Sequence, residues 1–135
     1  MTIPSLIASL REAREGSQEL DRKIYRALGH TLEDRGYWSR TIGGDRVWTE
    51  RWSLIPYDLP KPLTSSLDAI MGLIREKLPG RHWSVQTTGE PGRDAYSAEI
   101  SASAPYSFNV ICYTAATPAL ALCIALLLAL EPANG

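Results

Sequence analysis

Metal binding needs several ligands converging on one point, and the candidates in this chain are His30, His82, Cys112 and Cys123. They form no C-x-x-C pair, no H-E-x-x-H helix and no short Cys/His spacing, so the sequence predicts neither a metal site nor a cofactor. Cys123 lies among leucines and reads as a small core residue. Nucleophilic catalysis would place a Cys or Ser beside a His base. Cys112 and His82 are the nearest to such a pair, but no G-x-S-x-G or other nucleophile elbow accompanies them. Carboxylate chemistry would require Asp21 or Asp68 to meet a second acid. Asp68 already has a structural role, three residues after Ser65, as the first-turn acid of a helix. Gly43-Gly44 lacks the Lys-Ser or Lys-Thr of a phosphate loop, and Gly89–Arg93 is a plain turn. No catalytic residue is assigned.

One constellation remains. Trp38, Arg40, Arg46, Trp48, Arg51 and Trp52 interleave aromatic rings with guanidinium groups, joined by Arg35 and Tyr37. Such a mixture suits a protein interface, and also stacking on single-stranded bases. The plainer reading is that the tryptophans close the edge of the core while the arginines face water.

The composition narrows the partner. Fourteen Lys and Arg stand against fifteen Asp and Glu, for a formal charge of -1. Residues 1–60 carry nine of each sign and residues 61–135 five basic against six acidic, so neither half is a basic tail. Nucleic-acid binding usually leaves such a footprint, and its absence argues against that partner. The N-terminus has no basic start followed by an apolar run, and two cysteines make no disulfide framework. The expectation is a cytoplasmic protein of the host cell with reduced thiols. Val110–Leu130 has 21 uncharged residues, about what a bilayer-spanning helix needs. Thr117-Pro118 divides it, however, and no Lys or Arg follows to set an orientation, so a buried strand and helix are expected instead of a membrane anchor.

The elements that would position these residues follow from periodicity. Ile3 to Glu15 reads as an amphipathic helix through Leu6, Ile7 and Leu10, and Ser17 caps a second carrying Leu20, Ile24 and Leu28. Glycines and prolines punctuate residues 30–63, which read as an irregular Trp/Arg-rich segment in which Val47–Ile55 would contain at most a strand. Ser65 then caps a helix through Leu67, Ile70, Met71, Ile74 and Leu78. Trp83–Thr87, Tyr96–Ala102 and Phe108–Cys112 alternate as strands, and Pro118–Leu130 is a helix apolar all round. The fold class is α+β. A three-stranded, or at most four-stranded, antiparallel sheet lies in an alpha-beta-alpha sandwich with core order helix-strand-strand-strand-helix, after two short N-terminal helices. The whole is one domain, 1–135, with the helical pair at 1–29 and the sandwich core at 64–135. Double-stranded RNA-binding domains share this order but meet phosphate with lysines at the start of the final helix, where this chain has T-P-A-L-A-L.

T-S-S-L-D-A at Thr64–Ala69, followed by A-A-T-P-A-L-A-L-C at Ala115–Cys123, resembles the phage ABA sandwich family. S-Q-E-L-D at Ser17–Asp21, G-R-H-W at Gly80–Trp83 and I-P-Y at Ile55–Tyr57 are similar to stretches around that core. Members of that family usually set the tyrosine and threonine side by side, whereas D-L-P-K-P-L separates Tyr57 from Thr64 here. The resemblance implies an alpha-beta sandwich of phage or prophage origin, with Thr64, Ser65, Asp68, Thr117 and Pro118 as its structural motif, and no activity. The expected function is therefore a non-catalytic phage or prophage accessory protein acting through contact with another protein. A small enzyme with a Cys/His or carboxylate site and a nucleic-acid-binding module are the alternatives. Two arrangements follow for the last helix, whose leucines exceed what a sheet and one narrow helical stripe would cover: a homodimer through it, or a monomer in which the first helix folds back to complete the cover.

Overall fold

A thirteen-residue helix without a polar face has to be surrounded, and the fold is built to do so. The computed structural model describes residues 3–55, 60–101 and 110–130. The element order is α1 (Ile3–Glu12), α2 (Gln18–Ala27), β1 (Leu32–Asp34), β2 (Tyr37–Arg40), β3 (Arg46–Thr49), β4 (Trp52–Leu54), α3 (Leu67–Lys77), β5 (Trp83–Thr87), β6 (Tyr96–Ser101), β7 (Val110–Ala115) and α4 (Pro118–Leu130). This is an α+β fold with two N-terminal helices and the core order helix-strand-strand-strand-helix, α3-β5-β6-β7-α4.

Helix α4 starts where Thr117-Pro118 predicts: the Thr117 hydroxyl accepts from the Leu120 amide at 3.2 Å, and proline occupies a position that needs no N–H. Sheet strands β5, β6 and β7 lie along one side of it, and α1 and α3 along others. The sheet is antiparallel in the order β5-β6-β7, with Ala98 opposite both Val85 and Tyr113. Ala98 and Ile100 are fully buried, whereas Ser84 and Gln86, one step out of phase, are exposed. Arg11 of α1 ties the helix to the far edge of the sheet. Its Nη1 lies 2.7 Å from Asp94 Oδ1 and donates to the Thr114 carbonyl and hydroxyl at 2.9 and 2.7 Å.

Ala119 to Leu127 are buried within the single chain, including Ala121 and Ala125 of the small-residue stripe. The leucine surface expected to be left for dimerisation is thus covered by α1 and α3, and partial exposure begins only at Leu128. No helix among the described residues is long and apolar enough to cross a membrane.

Three local expectations are revised. Helix α1 stops at Glu12, not Glu15, because Gly16 must pass close to residue 64: a Cβ there would sit 2.1 Å from the Thr64 carbonyl oxygen. Helix α3 is capped by Ser66, not Ser65; Ser66 Oγ accepts from the Ala69 amide at 3.3 Å. The amides of both serines return to the Pro62 carbonyl, so Ser65 lies inside that turn and only Ser66 has the extended backbone of a cap. Asp68 remains in the first turn, exposed, where it complements the helix dipole without a reciprocal cap. Finally, residues 32–54 of the segment expected to be irregular form strands. Strand β1 pairs with β4 and β2 with β3, both antiparallel, as two successive ladders of one long hairpin. The Arg35 amide, donating to the Arg51 carbonyl at 2.8 Å, joins them. Gly36 allows the bend between the ladders, since a Cβ there would lie 1.9 Å from the Thr49 carbonyl oxygen. Pro56 and Tyr57 of the I-P-Y stretch, part of the third predicted strand and the side chain of Cys112 fall outside the described residues.

Candidate interaction surface

Every residue from Tyr37 to Arg51 is exposed, so the outer half of the hairpin is an arm standing away from the core. Its register places Trp38 opposite Trp48 and Arg40 opposite Arg46. Cross-strand partners share a face, as do residues two apart, so these four predicted side chains form one surface. The indole rings meet edge to face, 5.4 Å between centroids at 67°, and the Arg46 guanidinium lies 4.8 Å from the Trp38 ring. Trp38 is 56 % exposed and Trp48 39 %, so neither closes the core edge.

Asp34 holds the arm at its base. Its Oδ2 accepts from Trp48 Nε1 at 2.8 Å, and its Oδ1 from the amides of Arg51 and Gly36 at 2.9 and 3.0 Å. The indole bond first, and then the Arg51 amide, hold this carboxyl below its ordinary value, because they stabilise the anion. Trp48 is therefore fixed by a polar anchor while its ring remains open to solvent. The other face carries Tyr37 and Val47, and the turn carries a fully exposed Ile42. Sequence reasoning missed Ile42, Val47 and Asp34. The D-R-G of Asp34–Gly36 was the available signal, an aspartate whose side chain caps the amide two residues on.

The remaining two predicted residues, Arg51 and Trp52, are elsewhere. Trp52 is half buried against α2, with the guanidinium groups of Arg22 and Arg26 at 5.1 and 5.4 Å from its ring, and its Nε1 donates to Glu50 Oε2 at 3.0 Å. It docks the base of the arm on α2 and so plays the packing role that the sequence allowed for all three tryptophans. Arg51 and Trp52 line a cleft of about 440 Å³ together with Asp21, Arg22 and Glu50. Four ionisable residues thus line it, although Asp21 is itself buried and bonded to Thr64. No Ser, Thr, Cys or His is among the residues described as lining it.

Four of the five structural motif residues, Thr64, Ser65, Thr117 and Pro118, gather at one junction near Asp21, and Asp68 lies apart on the exposed first turn of α3. Thr64 is buried and accepts from the Ser17 amide at 2.9 Å. Its hydroxyl and amide donate to Asp21 Oδ1 at 2.6 and 2.8 Å. Cys123 Sγ donates to the adjacent Leu63 carbonyl at 3.4 Å. Ser65, Thr117 and Pro118 border the same junction with Gly16. Ser17, Asp21, Thr64 and Cys123 thus form a staple between α2, the segment before α3, and α4. Burial, opposed only partly by the Thr64 hydrogen bonds, raises the Asp21 pKa. Burial, with Asp21 nearby, raises the Cys123 pKa well above its ordinary value, so this thiol is held protonated. Among the described residues no three His, Cys, Asp or Glu side chains come together as a metal site, and His30 packs its ring on Tyr25 instead.

No family model matches the chain, and no curated protein or solved structure is detectably similar to it.

Proposed function

We propose that this chain is a non-catalytic binding module, a cytoplasmic accessory protein of phage or prophage, whose projecting hairpin engages another protein. One observation carries the reading: Trp38 and Trp48 are exposed as an edge-to-face pair on an arm whose residues lie outside the core cluster. Rings fixed by a neighbouring ring, a guanidinium and an indole hydrogen bond lose little further freedom on binding, the property that makes tryptophan and arginine dominate interfaces. Ile42 at the tip and Val47 on the reverse face extend the apolar surface.

The test is capture from infected or lysogenic cells with the full chain as bait. Trp38→Ala and Trp48→Ala should abolish capture while leaving the circular dichroism spectrum unchanged. Capture indifferent to both variants, or none at all, refutes the reading. The arm is also the surface left for self-association. Sedimentation at micromolar concentration giving 14.9 kDa assigns it to a foreign partner, whereas twice that mass, halved by Trp38→Ala, assigns it to a second copy.

The cleft supports a second reading, in which Asp21, Arg22, Glu50 and Arg51 hold a small polar ligand. A screen of polar metabolites by thermal shift tests it. Stabilisation that Arg51→Ala removes and Trp38→Ala does not would favour the cleft over the arm.

A further inference from the structure

The tryptophan face of the arm carries an unbalanced charge. Arg40 and Arg46 are direct cross-strand partners, a position in which like charges repel. Neither guanidinium has an ion-pair partner among the described residues. Asp45 lies in the turn before the strand and forms no ion pair with either arginine. The carboxylate of Asp34 is already occupied by the Trp48 indole and two backbone amides. The Arg46 guanidinium lies 4.8 Å from the Trp38 ring centroid, a cation–π contact that leaves its charge without a carboxylate partner.

Resting on the reading of the arm as a protein-binding surface, we infer that its occupant is an acidic segment of the partner, with one Asp or Glu carboxylate seated between Arg40 and Arg46 and a neighbouring apolar side chain against the Trp38–Trp48 pair. Directly opposed residues hold their Cβ atoms about 5 Å apart, so the two oxygens of one carboxylate reach both guanidinium groups. The bound anion replaces a repulsion with two attractions. A nucleic-acid strand fits this face less well. It brings a phosphate at every nucleotide, whereas this face offers two adjacent guanidinium groups.

The probes are two peptides of alternating residues, one Glu/Val and one Gln/Val, and a thymidylate oligomer. The readout is the indole N–H resonances of the full-length chain. The Glu peptide should shift Trp38 and Trp48 but not Trp83, and the Gln peptide should bind about fivefold more weakly. Arg40→Gln and Arg46→Gln should each weaken the Glu peptide by a similar factor and leave the Gln peptide unchanged. Equal binding of the two peptides overturns the inference, as does no shift at millimolar Glu peptide or tighter binding of thymidylate. Partner capture lost with Trp38→Ala but intact in Arg40→Gln/Arg46→Gln removes the acidic preference alone. Capture that survives Trp38→Ala removes the arm itself.

Discussion

Replacing Thr64 with valine removes a hydroxyl at nearly constant volume, and the structure says what that hydroxyl does. It accepts from the Ser17 amide and donates to the buried Asp21 carboxylate, so two hydrogen bonds are lost, one of them to a charged group. A neutral bond is worth about 1 kcal/mol and one to a charge about 2, so Thr64→Val should destabilise the chain by about 3 kcal/mol. For a domain of this size that is a fall of about 10 °C in Tm. Thr64→Ser keeps the hydroxyl and should cost about 1 kcal/mol, the loss of one buried methyl group. Asp21 provides the companion measurement. Asp21→Ala leaves the Thr64 amide buried without an acceptor, while the hydroxyl keeps the Ser17 carbonyl at 3.1 Å, and should cost about 2 kcal/mol. Asp21→Asn retains an acceptor and removes the desolvated charge, so it should be at least as stable as the parent at neutral pH. The sign follows from the raised pKa. A carboxyl whose folded pKa exceeds its unfolded value stabilises the fold most below 3.8 and loses that contribution as pH rises through the folded value. The advantage of Asp21→Asn should therefore open with rising pH and vanish in acid. Urea unfolding followed by circular dichroism at several pH values measures all four variants. Asp21→Asn as damaging as Asp21→Ala, or Thr64→Val as mild as Thr64→Ser, would refute the staple.

Three further outcomes are expected. Gly16→Ala forces a Cβ onto the Thr64 carbonyl and should cost about 3 kcal/mol, whereas Gly72→Ala, in the interior of α3 with nothing within 4 Å, should stabilise by about 0.5–1 kcal/mol; equal effects in thermal melts would contradict the packing at residue 16. The Asp34 contribution to arm order is present above the ordinary carboxylate pKa of 3.8 and lost as pH falls through its depressed value. Acidification should therefore accelerate exchange of the Trp48 indole proton before the core unfolds, Asp34→Ala should do so at neutral pH, and an unchanged indole in both would disprove the anchor. Cys123 in a Cys112→Ser background should resist a disulfide reagent until the protein unfolds, and rapid labelling of the native chain would show that the α4 core opens.

The helices and the sheet were legible because their patterns are local. Thr117-Pro118 marks the start of α4, Ser17 caps α2, and Tyr96, Ala98 and Ile100 alternate because one face of β6 is buried. Two adjacent serines offered two equally good caps for α3, and the turn from Pro62 chose between them. The hairpin was read as irregular because alternation appears in a sequence only when one face is dry, and residues 37–51 are wet on both faces. The composition of the candidate surface was visible in its tryptophans and arginines, but its membership was not. Register alone decides that Trp38, Arg40, Arg46 and Trp48 share a face, and Gly36 bends the chain so that Arg51 and Trp52 fall at the base against α2. Nor does periodicity reveal what covers an all-apolar helix. Its pattern demands burial on every side, and only the placement of α1 and α3 shows that one chain provides it, because contacts between residues distant in sequence leave no periodic trace in either partner.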